Sequence, residues 1–531
     1  ICSNAKTGQG NLRKIFENRF FSSICFYSRF YRLVSFSENI KLIQRIMTII
    51  KQHWKVIVTI LLFGVAVFFS TYKLTESPPT WMDEGIIIQT ARAIADTGLS
   101  GIPVAPGVYE SAGIVSTSYP VTYPIALVFK LFGPGLFQAR VVMVVYLLLL
   151  FITVFFLLKR FISPKWYLFS FALFVTFAPL YGQGKNVLGE VPGMFFLFVF
   201  LITLYYQEKT KGDSAILPVI SGLSAGLFVA TKPIFILIIP AVVGALLLRW
   251  IWLKKSGVLF NHKQIFLFVF LVTLPVFLWF LVQFSGDSIS TIFSHYTNPY
   301  KVEMGSVIWN NIRLFFSDFQ PVYFLSLLGV WVIAFVLRLW KKADIYFSEC
   351  VALAFSLLVF LAFFRTPGYY RYFFPAQVLA LLYLIPSAEF IVSKIKIFTE
   401  SKKKIIMVGF VCVLFIIHAY GLLFTSWTAK SYSSTRTQNM QEYFSKVKSQ
   451  NIFLYQVPEV ATFLPVGSFY QFFYPAPLVP IGEESLWALS SDALDLVIVN
   501  TDNLESFQRQ FTTFEKIDTV ERYSILINSK K

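Results

Sequence analysis

Two adjacent carboxylates, Asp83 and Glu84, stand in the run Trp81-Met82-Asp83-Glu84-Gly85, a few residues beyond the first stretch apolar enough to cross a bilayer. A carboxylate held at a membrane surface can take a proton from the hydroxyl of a substrate whose tail is in lipid and whose head is in water. Acids also favour helix N-termini, so for Asp83 taken alone the capping and the acid–base readings both stand. Other ionisable groups lie at the ends of apolar stretches, where their cost makes each a functional candidate. Glu190 begins one such stretch in Gly189-Glu190-Val191-Pro192, either as a helix cap or as part of the lining of the same site. Lys232, in Thr231-Lys232-Pro233, is either a lysine snorkelling to water or an anion ligand. Arg365 and Arg371 frame Thr366-Pro367-Gly368-Tyr369-Tyr370. A guanidinium grips phosphate oxygens through two hydrogen bonds, whereas the tyrosines beside these arginines fit an aromatic belt.

Two carboxylates and three cations on one membrane face, with Glu190 as a third acid, suit one kind of reaction. The carboxylates remove a proton from an acceptor hydroxyl, and the cations stabilise a departing phosphate. Glycosidases need an acid as well as a base because an alkoxide leaves badly without a proton. A phosphate leaves as a stable anion, so one base plus cations suffices for an in-line, inverting transfer.

The elements that position these groups follow from composition. With 56% hydrophobic residues, 14% charged residues and 60 Phe, and a mean hydropathy of +0.65, the chain reads as a polytopic membrane protein. Its net charge of +18 would suggest nucleic acid in a soluble chain; here it is loop charge that orients helices, and no nucleic-acid partner is expected. Segments of about 20 apolar residues predict eleven spans, near 55–74, 137–158, 165–181, 187–206, 215–231, 234–253, 264–284, 321–340, 346–364, 369–390 and 405–426. The fifth carries Gly222 and Gly226, which suits close helix packing. Lysine- and arginine-rich loops all fall on one side, which the positive-inside rule makes the cytoplasm. The other side then receives Asp83-Glu84, residues 285–320, the Arg365–Arg371 turn and everything after Trp427.

Three domains are expected. Residues 1–46 form a basic, Phe/Ser-rich extension, read as translated sequence upstream of a start at Met47 or as a targeting leader. Residues 47–428 form the membrane domain, with a first outer loop at 75–136 that holds a short interfacial helix after Gly85 and a second, half-buried one over Ile125–Phe132. Residues 429–531 form a small soluble α/β domain with a partly parallel sheet: Asn451–Gln456 and Leu494–Asn500 read as strands, Glu442–Lys448 and Leu504–Phe511 as helical. The four cysteines, Cys2, Cys25, Cys350 and Cys412, indicate no extracellular disulfide framework.

In order and spacing the motifs resemble those of the integral-membrane glycosyltransferases of the C-type fold, specifically the protein O-mannosyltransferase and lipid A aminoarabinose transferase superfamily. The likeness covers roughly residues 47–430. It is carried by Asp83-Glu84, Tyr119-Pro120 and Tyr123-Pro124 before Lys130-Leu131-Phe132-Gly133, Gly189-Glu190, Thr231-Lys232-Pro233 and Arg371-Tyr372-Phe373-Phe374-Pro375-Ala376. The resemblance implies an all-α polytopic enzyme of the plasma (inner) membrane whose active site and C-terminal domain are extracytoplasmic. Its donor would be a polyprenyl-phosphate sugar, undecaprenyl or dolichyl, and its acceptor a lipid, glycan or protein. Asp83 would be the general base with Glu84 its catalytic neighbour. Glu190, Tyr119 and Tyr123 would line the pocket, and Lys232, Arg371 and Arg365 would hold the donor phosphate. Aminoarabinose transferases carry an acid before the proline of the loop motif that contributes to a metal site, where this chain has Ser118-Tyr119-Pro120. His295 in the 285–320 loop offers a ligand, but an isolated loop histidine is ordinarily solvated. No cofactor is therefore obligatory, and a divalent cation is left open. The tail does not look like a β-trefoil, which weighs against a protein acceptor. The competing readings are a transporter or flippase for a lipid-linked or polar solute, which internal repeats and midplane charges would favour, and a non-catalytic scaffold.

Overall fold

The computed structural model describes residues 53–105, 107–111, 115–210, 213–251, 260–284, 290, 304–317, 319–366, 370–449, 451–464, 469–472 and 494–530. Two compact units divide the chain, Ile1–Gly64 and Val65–Lys531. In the first, residues 53–64 are helical. The extension before residue 47 and His295 lie outside the described residues.

The apolar segments become helices where the sequence places them: α1 (His53–Thr71), then α2 (Met82–Thr97), α3 (Tyr119–Phe132), α4 (Leu136–Phe161), α5 (Tyr167–Thr176), α6 (Ala178–Lys185), α7 (Glu190–Lys209), α8 (Ile216–Thr231), α9 (Ile238–Ile251) and α10 (His262–Gln283). There follow α11 (Met304–Ser317), α12 (Phe319–Trp340), α13 (Phe347–Phe363), α14 (Phe374–Lys394) and α15 (Glu400–Tyr420). Among the described residues eight helical stretches are long and apolar enough to cross a membrane, and α5, α8 and α13 fall short at expected spans. The chain is a multi-pass, mostly helical membrane protein with a small C-terminal sheet. Close packing shortens the distance between α8 and α10: a Cβ on Gly226 would lie 2.6 Å from the Val272 carbonyl, and one on Gly222 2.8 Å from that of Phe268.

Three local structures differ from expectation. α2 begins at Met82, so Asp83 and Glu84 occupy its first turn instead of preceding it. α3 begins at Tyr119, with Pro120 in the first turn where no donor is needed. Pro124 has no N–H to give back to Pro120, and the Pro120 carbonyl accepts instead from the Tyr146 hydroxyl at 2.7 Å. α11 rises in the segment expected to be loop.

The tail carries a five-stranded sheet in the order β4-β3-β5-β7-β6, from β3 (Ile452–Tyr455), β4 (Phe469–Phe472), β5 (Leu496–Asn500), β6 (Phe514–Val520) and β7 (Tyr523–Asn528). β3 runs parallel to β4 and β5, while β7 is antiparallel to β5 and β6. β3 and β5 fall on the two segments read as strands, and Arg436–Ser445 and Leu504–Gln510 are the helices. A separate hairpin, β1 (Gly101–Ala105) and β2 (Val108–Ser111), follows α2.

The tail sheet and the first loop share one core: Ile87, Ala91, Val121 and Ile125 cluster with Phe444, Ile452, Leu454, Val460 and Ile498. Gln89 donates to the Pro458 carbonyl at 2.7 Å. Glu76 accepts from the Thr437 and Gln438 amides, both at 2.9 Å, at the N-terminus of Arg436–Ser445. Gly85 lies against the backbone of Glu459, so close that a Cβ there would stand 2.4 Å from the Glu459 Cα. Gly85→Ala is therefore expected to lower the thermal midpoint of the purified protein through a cost of about 1–3 kcal/mol. Gly409→Ala, where a Cβ meets nothing within 4 Å, is expected to leave the midpoint unchanged or raise it. Equal midpoints in the two variants would remove the close contact.

Candidate functional site

Residues adjacent on a helix project about 100° apart, and the two acids of α2 part accordingly. Glu84 turns inward, fully buried, and meets the fully buried Arg140 of α4 in a two-pronged pair: Nε donates to Oε1 at 2.8 Å and Nη2 to Oε2 at 2.7 Å. Arg140 Nη1 donates to the carbonyls of Leu74 and Pro78, at 2.7 and 2.9 Å, and Nη2 also reaches Asn186 Oδ1 at 2.9 Å. The Val187 amide completes the shell of Glu84 at 3.1 Å. Beside it Lys185 donates to the Tyr72 carbonyl at 2.9 Å. Burial, and after it the Arg140 guanidinium, pushes the Lys185 ammonium down to about 7.

Asp83 turns the other way. Its Oδ2 lies 2.6 Å from Arg371 Nη1, and the two side chains keep 22% and 12% of their exposure. Arg371 sits on the 3-10 turn Tyr370–Phe373 that leads into α14. The Trp81 ring lies 4.6 Å from its guanidinium carbon and the Tyr372 ring 5.2 Å; these faces hold a cation without neutralising it. Glu190 opens α7 and is buried against Lys232, whose Nζ donates to Oε1. Arg371 interacts electrostatically with both Asp83 and Glu190. Asp83, Arg371, Glu190 and Lys232 thus form one string of alternating charge. Around its far end Thr117 Oγ1, Ser118 Oγ and Glu190 Oε2 are buried without a hydrogen-bond partner among the described residues.

The remaining sequence candidates are Tyr119, Tyr123 and Arg365. Tyr119 donates to the Pro275 carbonyl at 3.2 Å. Tyr123 is 42% exposed, its ring edge-on to Tyr119 at 6.2 Å. Arg365 is exposed just beyond the C-terminal end of α13. Among the described residues no three His, Cys, Asp or Glu side chains gather. A carboxylate already matched by an ammonium and flanked by hydroxyls is a weak cation set.

Arg371 also lines a cavity of about 190 Å³ with Gln183, Tyr370, Gln377, Trp427 and Thr428. Sequence reading missed this cavity and Arg140. An arginine inside an apolar span was signal enough for the second; the first has no local signature.

No family model matches the sequence, and no curated protein matches it. Solved structures do share the fold. ArnT from Cupriavidus metallidurans bound to undecaprenyl phosphate aligns at a TM-score of 0.61 and 11% identity, over 89% of this chain and 97% of that one. The archaeal oligosaccharyltransferase AglB from Archaeoglobus fulgidus, in complex with an inhibitory peptide and a dolichol-phosphate, aligns at 0.51 and 11% identity, over 87% of this chain and 71% of that one. Both are membrane glycosyltransferases of the C-type fold. At that identity the likeness is one of fold, the fold the motifs led one to expect.

Breaking one side of the Glu84–Arg140 pair leaves a buried charge unmatched, at about 3–5 kcal/mol. Arg140→Met is expected to abolish the monodisperse peak of the detergent-solubilised protein, and the double change with Glu84→Gln to restore part of it. A monodisperse Arg140→Met protein would refute this. Between pH 7 and 9 the unfolded chain binds a proton that folded Lys185 sheds, so stability rises with pH. Lys185→Met should flatten that rise in the thermal midpoint, and an unchanged slope would show Lys185 protonated throughout.

Proposed function

We propose that the chain transfers a sugar from a polyprenyl-phosphate donor to an acceptor hydroxyl at the extracytoplasmic membrane face, with inversion. The observation that carries the reading is the contact of Asp83 with Arg371 beside a cavity, with Glu190 and Lys232 continuing the string. The acceptor oxygen attacks the anomeric carbon and its proton passes to Asp83. The bond from that carbon to the phosphate oxygen breaks, and the polyprenyl phosphate leaves with the electron pair. Arg371, with more N–H donors than Asp83 engages, meets the charge that grows on the leaving phosphate. Lys232 holds a further phosphate oxygen, and Arg365 is its contact on the lipid side. Glu190 keeps the two buried cations from repelling one another. Glu84 acts by fixing the helix that bears Asp83, and Tyr119 and Tyr123 border the approach to Lys232. No step is routed through a metal ion.

The shared fold with a transferase bound to undecaprenyl phosphate supports a lipid-phosphate donor. The lysine-rich loops support the sidedness. The acceptor, whether lipid, glycan or protein, is left unassigned. In detergent, with water standing in for the acceptor hydroxyl, the full-length chain is expected to hydrolyse an undecaprenyl-phosphate sugar to undecaprenyl phosphate and the free sugar. Asp83→Asn should slow that hydrolysis about 100-fold or more while the protein stays monodisperse. A wild-type rate in Asp83→Asn would take Asp83 out of the mechanism. Solute movement without donor consumption would favour a transporter.

A further inference from the structure

Three elements converge on the cavity beside Arg371: α6 brings Gln183, the turn into α14 and its first residues bring Tyr370, Arg371 and Gln377, and the turn after α15 brings Trp427 and Thr428. Its volume of about 190 Å³ has room for a monosaccharide ring. It adjoins the reacting groups, because Arg371 forms both its wall and the partner of Asp83. Trp81, under Arg371, meets Trp427 edge-on at 6.3 Å.

The lining is selective in its chemistry. Ser426 and Thr428 spend their hydroxyls on each other, at 2.9 Å, and on the Ala429 amide, at 3.1 Å. The amides are different. Gln183 Oε1 is buried with no hydrogen-bond partner among the described residues, a state that costs free energy unless a donor arrives. An amide offers a donor and an acceptor, the complement of a hydroxyl. No Asp or Glu is among the lining residues, so an ammonium there would face a guanidinium with no carboxylate in the wall, and that guanidinium is already matched by Asp83, which leaves no net positive charge for a sugar carboxylate.

We propose that this cavity holds the transferred sugar and selects an uncharged one, with Gln183 and Gln377 reading its hydroxyls beside the aromatic faces of Trp427 and Tyr370. The inference rests on the transferase reading above and adds the class of sugar.

The test offers the full-length chain in lipid nanodiscs three undecaprenyl-phosphate donors, carrying a neutral hexose, a 4-amino pentose or a uronic acid, and reads undecaprenyl phosphate released. The neutral donor should lead in kcat/KM by about tenfold or more. Gln183→Glu should lower the neutral donor by about as much and raise the amino donor, with Asp83 chemistry intact. A lead for the amino or uronic donor, equal use of all three, or a Gln183→Glu protein with unchanged preference would overturn the assignment while leaving a transferase. Release from none of the donors by a monodisperse wild-type chain would overturn the transferase reading and this one with it. The wild-type ranking stands without any variant, so a misfolded Gln183→Glu protein leaves the proposal open to refutation.

Discussion

A buried ion pair survives in a low-dielectric interior only if nearly every lone pair and N–H is matched, and Glu84 with Arg140 meets that condition. Two carbonyls from the α1–α2 connection, one side-chain carbonyl from Asn186 and the Val187 amide close the shell. Three stretches far apart in sequence, 74–84, Arg140 and 186–187, must therefore be in place together. α2 cannot rotate without breaking a two-pronged contact, and the direction in which Asp83 points is fixed by its neighbour.

With α2 held, the polar side of the site becomes a string in which each charge faces its opposite. Asp83 meets Arg371, Arg371 feels Glu190, and Glu190 meets Lys232. Such a string is neutral overall and can stay intact with the site empty. The aromatic rings of Trp81 and Tyr372 pack around the Arg371 guanidinium.

Much of the fold was legible because lipid imposes a simple rule: unbroken apolar length means a helix. The expected spans and β3 and β5 follow from length and β-branched content. The mixed sheet was harder, since β6 (Phe514-Glu515-Lys516-Ile517-Asp518-Thr519-Val520) is an exposed edge strand with charges and little apolar run. The site was legible in part. Ionisable residues at span ends singled out Asp83, Arg371, Glu190 and Lys232, because burying a charge is costly, and the structure brings these four together. Sequence adjacency could not show that Glu84 meets Arg140 while Asp83 meets Arg371, since neighbours on a helix face different ways. Tyr119 and Tyr123 drew notice through their prolines, which shape α3 more than they shape the string. The cavity depends on three elements meeting, and no local run of residues encodes that.

The stitches between the first loop and the tail carry a consequence for how the molecule comes into being. Glu76 waits for Thr437, 361 residues downstream, and Gly85 waits for Glu459. Arg522 and Tyr523 in turn hold Glu459, with Arg436 donating to the Tyr523 hydroxyl: Tyr523 donates to the Glu459 carboxylate at 2.7 Å, and burial, then that carboxylate, pushes the Tyr523 hydroxyl up and keeps it a donor. A ribosome therefore makes α2 well before the tail segments that brace it. Until residues 436–523 have been made and folded, α2 and Glu76 before it lack these contacts, so the setting of Asp83 is completed only after the membrane helices between them.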